Sequence, residues 1–230
     1  MSREAFQQEL NRLVDEVLDL GAEVEDSLGL MVGAMESYDA EVARRVVGRD
    51  AAYKARGVEL DQECMILQAR QAPVARDLRL IYTVQALTNH MVRAGTLTEH
   101  ICQAIAETAG CERDAELAET LLEMARSARN LFHRGLEIFK AQDADGARNL
   151  QAADDKVDLL YSEAINLIAN PSDGGGGDPE WRMRAALMVH YLERIADHGV
   201  SLGGRTVFLV TGERIETAMQ QYLDREIGEE

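Results

Sequence analysis

The stretch that decides the fold is FQQELNRLVDEVLDLGAEVEDSLGLMVGAM, which spans Phe6–Met35. Apolar residues recur along it at alternating spacings of three and four, which places their side chains on one face of an α-helix. At ~1.5 Å per residue, a helix of about thirty residues is roughly 45 Å long. Only long antiparallel neighbours can cover such a stripe, so the stretch predicts a bundle of long helices.

The same pattern returns further along the chain, which indicates an internal repeat. An aspartate and an alanine follow each copy of the pattern, Asp39-Ala40 in the first and Asp143-Ala144 in the second, as candidate N-caps for a second helix. The second stripe consists of Leu117, Leu121, Met124, Ala128, Leu131, Gly135 and Ile138.

Third helices are expected from about 77 to 108 and from about 180 to 210, because proline-containing turns precede both segments. The sequence therefore predicts an all-α protein built from two tandem, pseudo-repeated three-helix bundles with six long helices. The first bundle is assigned to residues 1–110 and the second to residues 111–230, with the junction near Gly110. The four-glycine run at 174–177 is expected to form a loop, and the acidic tail 224–230 to be solvated.

Charge and composition limit the classes of partner. The chain of 230 residues has 41 acidic and 24 basic residues, which gives a formal net charge of -17. Such a surface repels phosphate backbones, so we expect no nucleic-acid partner and an attraction for cations or a basic protein surface. The N-terminus lacks the apolar core of a signal peptide, and no apolar run reaches the ~20 residues of a membrane span. Two of the three cysteines, Cys64 and Cys102, lie in apolar helical runs and resemble core thiols of a reducing compartment. These features indicate a soluble cytoplasmic protein.

Two pairs of acids in the second repeat are candidate metal ligands. Asp154 and Asp158 stand four apart on one expected helix, and Glu193 and Asp197 stand four apart on the next. Residues four apart lie one turn above each other on the same side of a helix. Asp154 occupies a position of the apolar stripe, where an unpaired carboxylate is costly.

The internal repeat supports the idea that the two pairs form one site. The matching positions of the first repeat are Asp50, Lys54, Val92 and Thr96, so three of the four acids are absent there. If the two helices share one cation site, the acids of both helices are expected to be lost together. Four carboxylates without thiolates suit a hard cation such as Mg²⁺, Mn²⁺, Ca²⁺ or iron.

Other interpretations of these acids stay open at this point. They could be a solvated helix face on a metal-free helical scaffold, or Asp154 could pair with Lys156 or with an arginine. A carboxylate-bridged di-iron or ferritin-like bundle would need Glu-x-x-His on two helices. No histidine of this chain has an acid three residues before it, which argues against that enzyme class.

Two further motifs carry a resemblance to a known family. RQAPVARDLR (Arg70–Arg79) resembles the PhoU family's loop into its third helix, and LERIADH (Leu192–His198) resembles its E-R-I-G-D-H motif, with Ala196 in place of glycine. The family's acid-xxx-acid motifs are matched at the two pairs named above. In the first repeat MVRAGT keeps the arginine and the glycine of the motif but not its acids.

The resemblance implies a cytoplasmic helical protein that is not an enzyme. PhoU proteins signal phosphate sufficiency and act between the ATPase of the phosphate ABC transporter and a sensor histidine kinase. They restrain both uptake and the starvation response, often form homodimers and can bind metal clusters on the bundle surface. Such a protein would reach the membrane only through its partners.

Overall fold

The computed structural model describes residues 2–171 and 177–213, and these residues form helices and turns without a β-strand. The all-α prediction is confirmed. The glycine run, apart from Gly177, and the acidic tail lie outside the described residues. Within the described part of the chain, no helix is long and apolar enough to cross a membrane. The helices are α1 (Arg3–Ser37), α2 (Ala40–Arg44), α3 (Asp50–Gln71), α4 (Ala75–Glu107), α5 (Ala115–Ala141), α6 (Ala144–Arg148), α7 (Gln151–Ala169) and α8 (Pro179–Thr211).

Six of these helices are long, as predicted, but each expected second helix is divided in two. Asp39 does cap a helix, because its side chain accepts hydrogen bonds from two backbone N–H groups, and Asp143 accepts one at the matching place. Each capped helix ends after five residues, and the long helix begins several residues later. In the first copy Gly48 has a φ of 97°, a left-handed conformation that interrupts the helical path.

The hydrophobic core runs through both repeats. The stripe of α1 is completely buried from Leu10 to Met31. Helices α1 and α4 pack against each other and also against α5 and α8 of the second repeat, while α3 and α7 flank this central group. The predicted boundary at residue 110 falls in the connection between α4 and α5. The assignment of residues 1–110 and 111–230 to two domains stays a prediction.

Helices α4 and α8 run antiparallel along much of their length. The Arg79 Nε donates to the Leu209 carbonyl at 3.2 Å at one end, and Arg184 forms an ion pair of 2.6 Å with Glu107 at the other. This pairing joins the two repeats and fixes the start of α4 beside the end of α8.

Helices α5 and α8 cross at two glycines, Gly135 and Gly199. A Cβ atom added at Gly199 would lie 2.6 Å from the backbone nitrogen of Phe132, closer than real Cβ contacts. Glycine is needed at this position because backbone, rather than a flexible side chain, occupies the space. The crossing brings the two helix axes close together and fixes α8 against α5.

Candidate metal site

The four predicted ligands lie on two neighbouring helices. Asp154 and Asp158 occupy the first turns of α7, and Glu193 and Asp197 occupy the middle of α8, which packs against α7. Asp154 and Glu193 are partly buried, whereas Asp158 and Asp197 are exposed. The cluster therefore lies at the protein surface, with two of its carboxylates drawn into the boundary between the helices.

The charges of these acids influence one another, which indicates that the two pairs lie near each other. Partial burial, together with the negative charges of Asp197, Asp158 and Asp155, raises the pKa of Asp154 to about 7. Burial raises the pKa of Glu193 to about 7 as well, together with the charges of Asp197, Asp158 and Asp154. Since such effects require proximity, the structure brings all four predicted residues into one acidic cluster.

The positive groups near the cluster do not cancel the rise in the carboxyl pKa values. Asp197 is exposed as a residue, but neighbouring protein atoms exclude water from its carboxyl group. This desolvation and the charge of Asp158 raise the pKa of Asp197, although the charges of Arg194 and His190 oppose the change. The His190 Nδ1 lies 4.0 Å from the nearer carboxylate oxygen of Glu193. Among residues 2–171 and 177–213, no group of three or more His, Cys, Asp or Glu side chains is arranged to hold a metal ion. The donor atoms thus fit a hard cation in type and location, but they do not form a ready coordination shell.

Lys156 is not the partner of Asp154. Its Nζ lies 2.8 Å from a carboxylate oxygen of Glu123 on α5, so its charge is directed to the other side of α7. Pairing between Asp154 and Lys156 was one alternative to a metal site, and this geometry does not support it.

The matching place in the first repeat contains its own cation. The Lys54 ammonium lies 2.5 Å from one carboxylate oxygen of Asp50, and the Thr96 hydroxyl donates a hydrogen bond to the other. Burial tends to raise the pKa of Asp50, but these two hydrogen bonds and the charge of Lys54 outweigh it, and the pKa is lowered. In the first repeat, the loss of three acids is therefore accompanied by a lysine ammonium placed beside the one acid that remains.

Sequence reasoning missed a histidine pair next to the cluster. His198 follows Asp197 directly, yet its Nδ1 lies 3.3 Å from the Nδ1 of His90 on α4. Burial lowers the pKa of His90 to about 4 and that of His198 to about 3, so both rings are neutral and one Nδ1 donates to the other. The antiparallel register of α4 and α8 creates this contact, and no spacing within the sequence signals it.

Comparison with known proteins places the chain in a family. Residues 17–105 and 121–206 match the PhoU domain, one match in each repeat. The chain belongs to the PhoU family. The resemblance seen in the two sequence motifs is thereby confirmed.

Relatives in the PhoU family align along nearly the full chain. The phosphate-specific transport system accessory protein PhoU homolog of Clostridium acetobutylicum is 25% identical over 217 residues, which cover 94% of this chain and 99% of the relative. The corresponding homolog of Synechocystis is 28% identical over 213 residues, covering 92% and 94%.

Solved PhoU structures share the fold. The phosphate transport system regulatory protein PhoU of Streptococcus pneumoniae superposes with a TM-score of 0.81 at 24% identity, covering 92% of this chain and 99% of that one. PhoU of Pseudomonas aeruginosa gives a TM-score of 0.82 at 23% identity, covering 90% and 100%.

Proposed function

We propose that this protein is a non-enzymatic regulator of phosphate uptake and phosphate-starvation signalling. Membership of the PhoU family carries this proposal, and aligned relatives are named as accessory proteins of the phosphate-specific transport system. The protein would act in the cytoplasm as an adaptor between the ATPase of the phosphate transporter and a sensor histidine kinase. It would associate with the membrane through these partners and work as a homodimer.

The surface suits an adaptor. Its long helices share one hydrophobic core, and the formal charge of -17 favours docking to basic patches on partner proteins. Charge complementarity of this kind raises the association rate and is weakened by salt. Nucleic acid is not among the proposed partners, because its phosphates would be repelled.

A hard metal ion at the acidic cluster is the second part of the proposal. Asp154, Asp158, Glu193 and Asp197 would hold Mg²⁺, Mn²⁺, Ca²⁺ or iron through carboxylate oxygens. A cation there would offset the repulsion that raises the carboxyl pKa values and would hold α7 against α8. The two repeats would then differ, because only the second would respond to the supply of metal.

Deletion of the gene in its native cell tests the regulatory function. Loss of the protein is expected to raise phosphate uptake and starvation-gene output at high external phosphate, and the intact gene is expected to restore both. A complementing gene with Asp154→Asn and Glu193→Gln then separates metal binding from regulation. Unchanged uptake and output in the deletion strain would contradict the proposed function.

A site can also be built in the first repeat. The triple variant Lys54→Asp, Val92→Glu, Thr96→Asp restores the missing acids beside Asp50 and is expected to increase bound metal about twofold per chain, because four carboxylates again face one another. Metal analysis after dialysis measures the number of metal ions bound per chain. Lys54→Gln alone is the matched control, since it removes the ammonium without adding acids and should bind no additional metal. A folded triple variant with an unchanged number of bound ions would contradict the prediction.

A further inference from the structure

A cleft on the outer face of α4 is lined mostly by polar side chains. Helix α3 forms one wall, where Asp61 lies, and α8 forms the other, where Arg205 lies. The cleft has a volume of about 480 Å³, within the range of sites for small molecules. Between the walls, α4 contributes Tyr82, Gln85, Asn89 and His90. Such a lining suits a small polar ligand.

Two opposite charges face the cleft from its two walls. Within the described part of the chain, neither the Asp61 carboxylate nor the Arg205 guanidinium forms an ion pair or a hydrogen bond. Burial raises the pKa of Asp61, as expected for a carboxyl group without a positive partner. Helices α3 and α8 each pack against α4, and packed helices are about 8–10 Å apart, so a ligand has room between the two charges.

The positive end of the cleft contains a second arginine. Burial, together with the charges of Arg205 and Arg93, lowers the pKa of His90 to about 4, so both guanidinium groups lie near this ring. Arg93 is exposed and stands four residues after Asn89, on the same face of α4. Guanidinium groups bind phosphate through paired, charge-assisted hydrogen bonds. This end of the cleft therefore suits a phosphate group, although the net charge of the chain is -17.

The Tyr82 ring provides a stacking surface between the two charges. It is 50% exposed, and an edge-to-face contact with Phe208, with ring centroids 5.7 Å apart, supports it from α8. Nucleic-acid bases stack on exposed aromatic side chains of this kind. A planar base fits here, with a phosphate at one end of the cleft and hydrogen-bond donors at the other.

Asp61 selects among the bases. An ionised carboxylate only accepts hydrogen bonds, and its two oxygens can accept from two neighbouring donors. Guanine presents a ring N–H and an amino group side by side on its Watson–Crick edge, whereas adenine presents an amino group beside an acceptor nitrogen. The negative wall of the cleft therefore favours guanine.

The second repeat lacks both charges of this cleft. When the repeats are aligned as for the two acid pairs, Ile165 of α7 stands in the place of Asp61. Ala104 of α4 stands in the place of Arg205. The acid and the arginine are thus absent together, as expected if they serve one ligand.

We propose that this cleft binds a guanine mononucleotide. The base stacks on the Tyr82 ring and donates to Asp61, and the phosphate lies at Arg205 and Arg93. This binding activity goes beyond the proposed regulatory function and uses none of the four acids of the candidate metal site. A mononucleotide places its phosphate at the local arginines, whereas a nucleic-acid strand would extend over the acidic surface and be repelled.

Isothermal titration calorimetry of the full chain tests the proposal with GMP, AMP and inorganic phosphate. The titrations are made in chelator, so that a metal ion at the acidic cluster has no part in binding. We expect GMP to bind about 10-fold more tightly than AMP, because only guanine offers two adjacent donors to Asp61. Inorganic phosphate should bind at least about 10-fold more weakly than GMP, because it lacks the base.

Conservative variants test each end of the cleft. Asp61→Asn is expected to remove the preference for GMP over AMP, since an amide offers one acceptor and one donor group. Arg205→Gln should weaken GMP binding at least about 10-fold by removing the charge at the phosphate. Two matched controls should bind GMP as the unaltered protein does: Glu59→Gln, an exposed acid of α3, and Arg134→Gln on α5, both outside the cleft.

Four outcomes would overturn the assignment. One is the absence of GMP binding at millimolar concentration. Another is equal affinity of the unaltered protein for GMP and AMP, and a third is equal affinity for GMP and inorganic phosphate, which would indicate an anion site without base recognition. The fourth is unchanged GMP binding in both Asp61→Asn and Arg205→Gln.

Discussion

A saturating divalent cation is expected to raise the melting temperature of this protein by roughly 5–10 °C at pH 8. Mg²⁺ or Mn²⁺ at one hundred times its dissociation constant stabilises a protein by about 2.7 kcal/mol, and each kcal/mol shifts the melting temperature of a chain of this size by about 2–4 °C. The cause is the repulsion among Asp154, Asp158, Glu193 and Asp197, which a cation would offset. Thermal unfolding followed by circular dichroism, with each cation and with a chelator, measures the shift.

Without bound cation, the stability of the folded protein is expected to fall as the pH rises. The pKa values of Asp154 and Glu193 are about 7 in the folded protein, above the ordinary values of aspartate and glutamate. Their protonation therefore favours the folded state, and this contribution is present below pH ~4 and is lost as the pH rises through about 7. In chelator, the melting temperature should fall over that interval, and added cation should restore it above pH 7.

The double variant Asp154→Asn, Glu193→Gln is the control for both effects. Without cation it should be more stable than the unaltered protein at pH 8, because two repelling charges are removed, and it should respond little to cation. An equal response of variant and unaltered protein would show that the cation acts elsewhere.

Gly199→Ala is expected to destabilise the protein by about 3 kcal/mol and to lower the melting temperature by roughly 6–12 °C. The new methyl group would lie 2.6 Å from the backbone nitrogen of Phe132, so α5 and α8 would have to move apart. Unfolding by urea gives the free energy change directly.

Gly204→Ala provides the matched comparison within α8. A Cβ atom at Gly204 meets nothing within 4 Å, so alanine should raise stability by about 0.5–1 kcal/mol through its better helix propensity. The two glycine-to-alanine substitutions should therefore change the free energy of unfolding in opposite directions. Equal effects would mean that the crossing at Gly199 is not tightly packed.

Much of the fold could be predicted from the sequence because long helices leave a periodic pattern. The stripe from Leu10 to Met31 and the caps at Asp39 and Asp143 are local signals, and the structure contains them. The division of each second helix was not predicted, because the candidate cap is followed by a pattern that continues as helix. The shared core of α1, α4, α5 and α8 also depends on packing between repeats, which periodicity does not specify.

The candidate site was also predicted only in part from the sequence. Spacing of four within a helix, together with comparison of the repeats, identified Asp154, Asp158, Glu193 and Asp197, and the structure brings them together. The hydrogen bond from Thr96 to Asp50 and the contact between His90 and His198 were not predicted, because each joins residues far apart in sequence. Metal binding itself stays a prediction.

The ammonium of Lys54 beside Asp50 has a consequence for how the first repeat behaves. A counter-charge attached to the chain through covalent bonds is not lost by dilution or by a chelator. The counter-charge of Asp50 is thus present whether or not the surrounding solution supplies a metal ion.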